Sequence, residues 1–122
     1  MKIRYAQPGM MPVMTEVPMN EVVSNILGSS GTIYDWWTGF EYDDQYDWDY
    51  LPVDADLEFI TASIEDPSIE GATITTRLSV RALALAFLEC DDLGYRVDWD
   101  NMDAPSADVV LQKAVLGEVV YG

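Results

Sequence analysis

Between Tyr5 and Thr76 the chain contains no lysine, arginine or histidine, whereas the same 72 residues carry 14 carboxylates. Nearly all of the net charge of −16 lies in this stretch, which we call the base-free segment. Most soluble domains intersperse both signs of charge, because repulsion between like charges opposes the compact state. A one-sign field of this size therefore indicates a partner of opposite charge or a role in solvation.

The composition nevertheless favours a folded domain over an acidic tail. Hydrophobic residues make up 49% of the chain and include four Trp, seven Tyr and three Phe, whereas disordered acidic tails are poor in aromatic residues. A length of 122 residues suits one domain with a single core. We therefore expect one acidic domain over residues 1–122. Its N-terminal segment, residues 1–18, is predicted to be rich in loops, with a short edge strand over residues 2–5.

Several partners and compartments are disfavoured by the charge and by the cysteine count. Six basic residues against 22 acidic ones cannot neutralise phosphates over a broad surface, so direct binding to nucleic acid or to an anionic membrane is not expected. No apolar run approaches the roughly 20 residues that span a bilayer, and no signal peptide is recognisable. Cys90 is the single cysteine, which fits a reducing compartment. We expect a cytoplasmic protein.

Three segments have the apolar spacing of amphipathic helices. The first covers residues 20–27, with Asn20 as its predicted N-cap and its end near Gly28. The second has the clearest signal, with Ser79 as its predicted N-cap and Gly94 as its stop. The third runs from about residue 106 to residue 116, with Asp108 in its first turn, where a carboxylate complements the helix dipole.

An alternation of aromatic and acidic residues gives the main strand signal. With a turn over residues 43–45, it predicts a β-hairpin of strands 33–42 and 46–50 that is aromatic on one face and acidic on the other. Further strand candidates are residues 57–64 and 72–78. Together these elements predict an α+β fold, in which two or three helices pack on one face of an antiparallel sheet of three or four strands.

The carboxylates of this hairpin are the candidate partner-binding surface. Alternate residues of a strand repeat about every 6.6 Å on one face, and each strand of duplex DNA carries one phosphate per roughly 3.4 Å of axis. A rigid carboxylate row can therefore take the place of a phosphate row in a basic groove, and electrostatic steering speeds the association. The predicted contact residues are Asp35, Glu41, Asp43, Asp44, Asp47, Asp49, Asp54 and Asp56, with Trp37 as an anchor.

Alternatives remain open for each of these features. The acidic face can equally be the plain solvated surface of an acidic protein. If Trp36 belongs to the core, a regular strand places Trp37 on the opposite face, either as an exposed interface anchor or covered by the N-terminal segment or a helix. The apolar tail, residues 119–121, packs within the chain by default, and its alternatives are an added edge strand or a homodimer contact.

Enzymatic and metal-binding functions are disfavoured. The absence of histidine removes the commonest general base and the usual zinc ligand. The segment that begins at Asp98 resembles a calcium loop only superficially, because Asp103 stands where glycine is needed and Val109 where a bidentate glutamate is needed. Cys90 lies near the apolar stripe of a helix with no histidine to activate it, which favours a buried structural thiol. We expect no catalytic residue, no metal site and no cofactor.

The C-terminal third, from Asp98 through the run SADVVLQKAVLGEVVYG at residues 106–122, resembles the ending of small acidic proteins of bacteriophages and actinobacterial mobile elements. In size, charge and lack of catalytic groups the chain is similar to phage-encoded DNA-mimic inhibitors, such as anti-restriction and anti-CRISPR proteins. These resemblances imply a phage-encoded, non-enzymatic inhibitor of a basic nucleic-acid-binding host defence protein or nucleoprotein complex. The alternative is a small structural, assembly or adaptor protein of a phage or mobile element that binds through its aromatic and C-terminal apolar surfaces.

Overall fold

The computed structural model describes residues 2–5, 13–16, 18–28, 36–47, 49–95 and 103–119. In chain order they form β1 (Lys2–Tyr5), β2 (Val13–Glu16), α1 (Met19–Leu27), β3 (Trp37–Tyr42), β4 (Ile60–Glu65), β5 (Thr73–Leu78), α2 (Val80–Asp92) and α3 (Ala104–Leu116). The predicted α+β class is confirmed by three helices and a three-stranded antiparallel sheet. No described helix combines the length and apolar character needed to cross a membrane.

The three-stranded sheet has the order β3-β4-β5, with antiparallel pairing on both sides of β4. On β4 the alternate residues Ile60, Ala62 and Ile64 are buried, and the residues between them are more exposed. Tyr42 and Phe40 of β3 lie opposite Ile60 and Ala62, so these aromatic side chains share the inner face of the sheet. The period of two on the central strand thus decides which face meets the core.

Side chains cap the N-termini of α2 and α3, whereas α1 follows Pro18 and has no side-chain cap, so the predicted N-cap at Asn20 is wrong. The Ser79 hydroxyl accepts a hydrogen bond from the Ala82 N–H at 3.1 Å, which confirms the predicted cap of α2. The Asp103 carboxylate accepts from the Ser106 N–H at 2.9 Å and caps α3. Because α3 therefore begins at Ala104, the placement of Asp108 in its first turn is wrong: Asp108 lies one turn further on.

One hydrophobic core joins the helices to the sheet. It is centred on α2, which packs against both α1 and α3. Burial of apolar side chains is the dominant favourable contribution to folding, and nearly all of these elements contribute. Fully buried side chains include Val22, Val23, Ile26, Phe59, Ile60, Ile64, Val80, Leu83, Val110 and Leu111.

A buried polar contact links α3 to the residue that precedes β3. The Trp36 Nε1–H donates a hydrogen bond to Asp108 Oδ1 at 2.5 Å, and the Gln112 amide donates to Asp108 Oδ2 at 2.8 Å. Asp108 is 9% exposed and Gln112 is fully buried. Because buried polar groups are costly unless they are hydrogen-bonded, this contact specifies how α3 meets the chain at Trp36.

The prediction of a second hairpin strand at residues 46–50 is wrong. β3 pairs with β4, and Asp47 and Tyr50 close a tight turn through an isolated bridge. Asp47 Oδ1 accepts hydrogen bonds from the backbone N–H groups of Asp49 at 2.9 Å and Tyr50 at 2.8 Å. Such local side-chain bonds compete with strand pairing. The carboxylates after Glu41 therefore do not form a row with strand spacing.

The other strand boundaries differ less from the prediction. The strand at residues 2–5 is confirmed, but residues 13–16, predicted as loop, pair with it antiparallel. The candidate strand at residues 57–64 begins later, at Ile60, and the candidate at residues 72–78 is confirmed from Thr73 onward. The N-terminal segment thus contains a small two-stranded sheet as well as loop.

Candidate protein-binding surface

The longest connection between described elements joins β3 to β4 through 17 residues, from Asp43 to Phe59. Connections longer than about 12–15 residues are uncommon in compact domains and are usually functional or linkers. We call residues 43–58 the acidic loop, because they carry seven carboxylates and no basic residue. Residue 48 of this loop lies outside the described part of the chain.

Backbone hydrogen bonds hold the acidic loop at its base and at its far side. The Asp43 N–H donates to the Phe59 carbonyl at 2.9 Å, which closes the base of the loop. The Arg81 N–H in the first turn of α2 donates to the Ala55 carbonyl at 3.1 Å, and Ala55 itself is buried. The loop is therefore closed at its base and is also attached to α2 at Ala55.

Aromatic contacts form the underside of the acidic loop. Phe59 is fully buried and stacks on Tyr42 with ring centroids 5.7 Å apart. Tyr46 meets Phe59 edge to face at 5.4 Å and stacks on Tyr50 at 6.1 Å. Aromatic pairs in these arrangements contribute about 0.5–1.5 kcal/mol beyond their buried area, so the loop rests on a packed base.

Arg77 of β5 binds the first carboxylate of the loop. Its guanidinium donates to both carboxylate oxygens of Asp43, at 2.7 and 2.8 Å, and to the Thr61 hydroxyl at 2.7 Å. It also donates to the Glu58 backbone carbonyl at the other end of the loop. The hydrogen bond from Arg77 holds the pKa of Asp43 below its usual range. Arg77 therefore fixes both ends of the acidic loop to the sheet.

Arg81 of α2 binds a second predicted contact residue. Its Nε lies 2.5 Å from Asp56 Oδ1. Arg77 and Arg81 are the first two bases after the base-free segment, and both reach back to it. Asp43 and Asp56 are thus engaged within the fold, which the sequence patterns did not indicate.

Five of the predicted carboxylates are exposed and form no ion pair with any cation among the described residues. Two of them also support the backbone of the loop: Asp47 in the turn described above, and Asp54, which accepts from the Asp56 N–H at 2.9 Å. Asp35, the remaining predicted carboxylate, lies outside the described residues. We call this set the open carboxylates: Glu41, Asp44, Asp47, Asp49 and Asp54.

The acidic loop also carries exposed apolar side chains. Val53 is 100% exposed, Tyr50 is 67% exposed and Leu57 is 39% exposed. Aromatic and apolar groups surrounded by charged residues are typical of the core and rim of protein interfaces. The acidic loop therefore offers apolar contact area as well as charge.

Trp37 is not an exposed anchor. It is 8% exposed and lies opposite Ile64 on the inner face of the sheet. A register shift between Trp37 and Gly39 resets the alternation of β3, so that Trp37 shares the face of Phe40, 6.5 Å away between ring centroids. The expectation that Trp37 lies on the outer face is therefore wrong, because its side chain is buried on the inner face.

An apolar groove of about 440 Å³ lies between α1 and β3, lined by Val23, Ser24, Gly28, Phe40 and Tyr42. Ser24 and Gly28 are small residues four positions apart, so they occupy one side of α1. Burial raises the pKa of the Tyr42 phenol, and the nearby negative charge of Asp47 raises it further. The sequence analysis missed this groove, although two small residues on one helix face were a signal for it.

Groups for catalysis or metal binding are scarce in the described part of the chain. Cys90 is fully buried, as expected, and burial raises the pKa of its thiol to about 11, so it is not a thiolate at neutral pH. Among the described residues, no three carboxylate or cysteine side chains are grouped so as to hold a metal ion. In the apolar tail, Val119 is partly buried, and residues 120–122 lie outside the described residues.

No protein-family model matches this sequence, and neither the curated proteins nor the solved structures that were searched include a match. The resemblance of the C-terminal third to acidic phage proteins stays a prediction. The candidate surface consists of the open carboxylates, the exposed apolar residues of the acidic loop and the adjacent groove.

Proposed function

We propose that this protein is a non-enzymatic inhibitor that presents the open carboxylates to the basic surface of a nucleic-acid-binding protein. The single observation that carries the proposal is the attachment of the acidic loop by Arg77, which binds Asp43 with two hydrogen bonds and also reaches Glu58. The loop is held at both ends while its other carboxylates face solvent. A charge pattern that is fixed before binding loses little entropy when it binds.

The arrangement of charge supports protein binding more than simple solvation. A surface that is only solvated needs no fixed backbone. This loop, however, is attached by the Arg77 side chain, by the Arg81 N–H and by the aromatic contact between Tyr46 and Phe59. Opposite charge on a partner steers the encounter and suppresses wrong partners. A basic groove that normally binds phosphates is the partner surface that such a field fits.

The proposed setting is the cytoplasm of a bacterial host, with the protein encoded by a phage or mobile element, as the resemblance of the C-terminal third implies. The partner class is a host defence protein of the anti-restriction or anti-CRISPR target type. Cys90 supports a reducing compartment, because a buried thiol with no disulfide partner is stable there.

The test has two stages. The immobilised protein captures partners from an actinobacterial lysate at about 50 mM and about 500 mM salt, because charge-driven binding weakens as salt rises. Each captured protein is then purified, and its binding to labelled duplex DNA is measured with and without the acidic protein. We expect capture at low salt, release at high salt and displacement of the DNA.

A matched pair of triple variants makes the test specific for the acidic loop. Glu41→Lys, Asp44→Lys and Asp49→Lys together alter the open carboxylates without touching the residues that hold the loop. The control reverses three exposed carboxylates elsewhere, Glu65, Glu70 and Glu118, and has the same net charge. We expect loss of DNA displacement in the first variant alone. Equal displacement by both variants would contradict the proposal.

A further inference from the structure

The groove between α1 and β3 has the size and lining of a site for one large apolar side chain. Its volume of about 440 Å³ lies within the range of roughly 300–1,000 Å³ that is typical of ligand pockets. Val23, Phe40 and Tyr42 supply apolar walls, and among the described lining residues the only polar side-chain groups are the Ser24 hydroxyl and the Tyr42 phenol. So few polar groups cannot orient a highly polar small molecule.

Two carboxylates, Asp47 and Glu21, lie beside this apolar groove. Asp47 of the acidic loop is close enough to the Tyr42 phenol to affect its titration. Glu21 lies three residues before Ser24 on α1 and is exposed, whereas Glu41 lies on the face of β3 opposite to Phe40 and Tyr42. The described residues that line the groove include no basic residue. Asp47 therefore connects the groove to the field of the open carboxylates.

We propose that the groove binds one aromatic or branched aliphatic side chain from an extended basic segment of the partner. This inference rests on the proposed function and deepens it, because it adds an apolar anchor to a charged surface. β3 is an edge strand of the described sheet, so an extended segment can lie along it while its apolar side chain enters the groove.

The charge selects this occupant over a second copy of the chain. A copy would bring its own net charge of −16 to a rim that includes Glu21 and Asp47, and like charges brought together at an interface are strongly unfavourable. Lysine or arginine residues that flank an apolar side chain would instead meet opposite charges on this rim. Apolar burial then supplies affinity that salt does not remove.

The proposal is tested with two synthetic probes, nonapeptides of alternating lysine and glycine that have either phenylalanine or serine at the centre. Their affinities for the whole protein are measured by calorimetry at about 150 mM salt. Burial of a phenylalanine side chain predicts at least about tenfold tighter binding of the phenylalanine peptide. The NMR signals of the Phe40 and Tyr42 rings should shift with this peptide and not with the serine peptide.

A variant that fills the groove tests whether the phenylalanine side chain of the peptide binds there. Ser24→Leu is expected to remove the difference between the two peptides, whereas Ser63→Leu, on the outer face of β4, is expected to preserve it. The ring signals of the wild-type protein test the same point without a variant, in case Ser24→Leu folds poorly. Equal affinities of the two peptides, or unchanged Phe40 and Tyr42 signals, would overturn the groove proposal. Failure of the proposed function would be recognised by a different result. The triple variant at Glu41, Asp44 and Asp49 would then still displace DNA from the partner.

Discussion

The guanidinium of Arg77 and the carboxylate of Asp43 face each other with two parallel hydrogen bonds, at 2.7 and 2.8 Å. Arg77 belongs to β5, and Asp43 directly follows β3. The contact therefore crosses the central strand, where the Thr61 hydroxyl accepts a third hydrogen bond from the same guanidinium. Arginine favours such paired geometry with carboxylates, and its charge-assisted bonds are roughly twice as strong as neutral ones.

This contact predicts a pH dependence of stability. The pKa of Asp43 is lowered in the folded protein from its ordinary value of 3.8 by the hydrogen bond from Arg77. A depressed native pKa gives stability that is fully present above the unfolded pKa and is lost as the pH falls through the native pKa. We expect the wild type to exceed Asp43→Asn in stability by a constant margin above about pH 5, and the margin to shrink at lower pH.

Urea unfolding midpoints of the wild type and Asp43→Asn between about pH 3 and pH 7 measure this margin. Asp44→Asn is the control, because Asp44 is exposed and forms no ion pair with a described cation. A margin for Asp43→Asn that does not change with pH would contradict the role of the Arg77 contact.

The buried carboxylate of Asp108 should matter more for stability than for binding. Asp108→Ala removes the acceptor for both Trp36 and Gln112, and loss of a buried hydrogen-bond partner costs about 1–3 kcal/mol. Asp108→Asn retains an acceptor for one of the two donors, so it should cost less. Chemical denaturation followed by tryptophan fluorescence measures both variants. A larger loss in Asp108→Asn than in Asp108→Ala would refute this interpretation.

The excess of negative charge should lower the stability of the fold and raise its affinity for a basic partner. Salt screens repulsion among exposed charges, so the melting temperature is expected to rise as salt increases at low ionic strength. Asp49→Lys should raise the melting temperature as well, and should lower affinity for the captured partner. This opposition between stability and function is typical of functional surfaces. A charge reversal at Asp49 that left affinity unchanged would favour a merely solvated surface.

Cys90 should react only when the protein unfolds. Its thiol is fully buried, and its pKa is raised from 9.0 to about 11. The thiolate is the reactive form, so at a pH below both pKa values the shift alone slows reaction on the order of 100-fold. The absorbance change with a disulfide reagent near pH 8 measures the rate, with and without denaturant. Rapid reaction of the native protein would contradict the buried position.

Helix α2 could be predicted from the sequence because local residues define its ends. Ser79 caps α2 with its own hydroxyl, and Gly94 takes a φ of 90° shortly after that helix ends, a conformation that glycine adopts at little cost. These signals do not depend on the rest of the fold. The confirmed strand at Thr73–Leu78 likewise follows from a run of β-branched residues.

The site was predicted less well, because its geometry depends on contacts distant in sequence. The alternation at residues 46–50 is typical of a strand, but the Asp47 carboxylate binds backbone N–H groups in its own turn. The position of Trp37 depends on the register shift near Gly39, which alternation alone cannot indicate. The pairing of Asp43 with Arg77 spans 34 residues. All five open carboxylates are among the predicted contact residues, but their arrangement was not predicted.

The position of Arg77 in the chain has a consequence for biosynthesis. A ribosome completes the entire acidic loop before it reaches Arg77 and Arg81, and chains begin to fold while they are being made. The loop cannot be fastened until β5 has emerged and joined β4. A nascent chain that stops within the base-free segment therefore carries the carboxylates without the arginines that position them. The sheet and the fixed arrangement of the acidic loop therefore form in the same folding step.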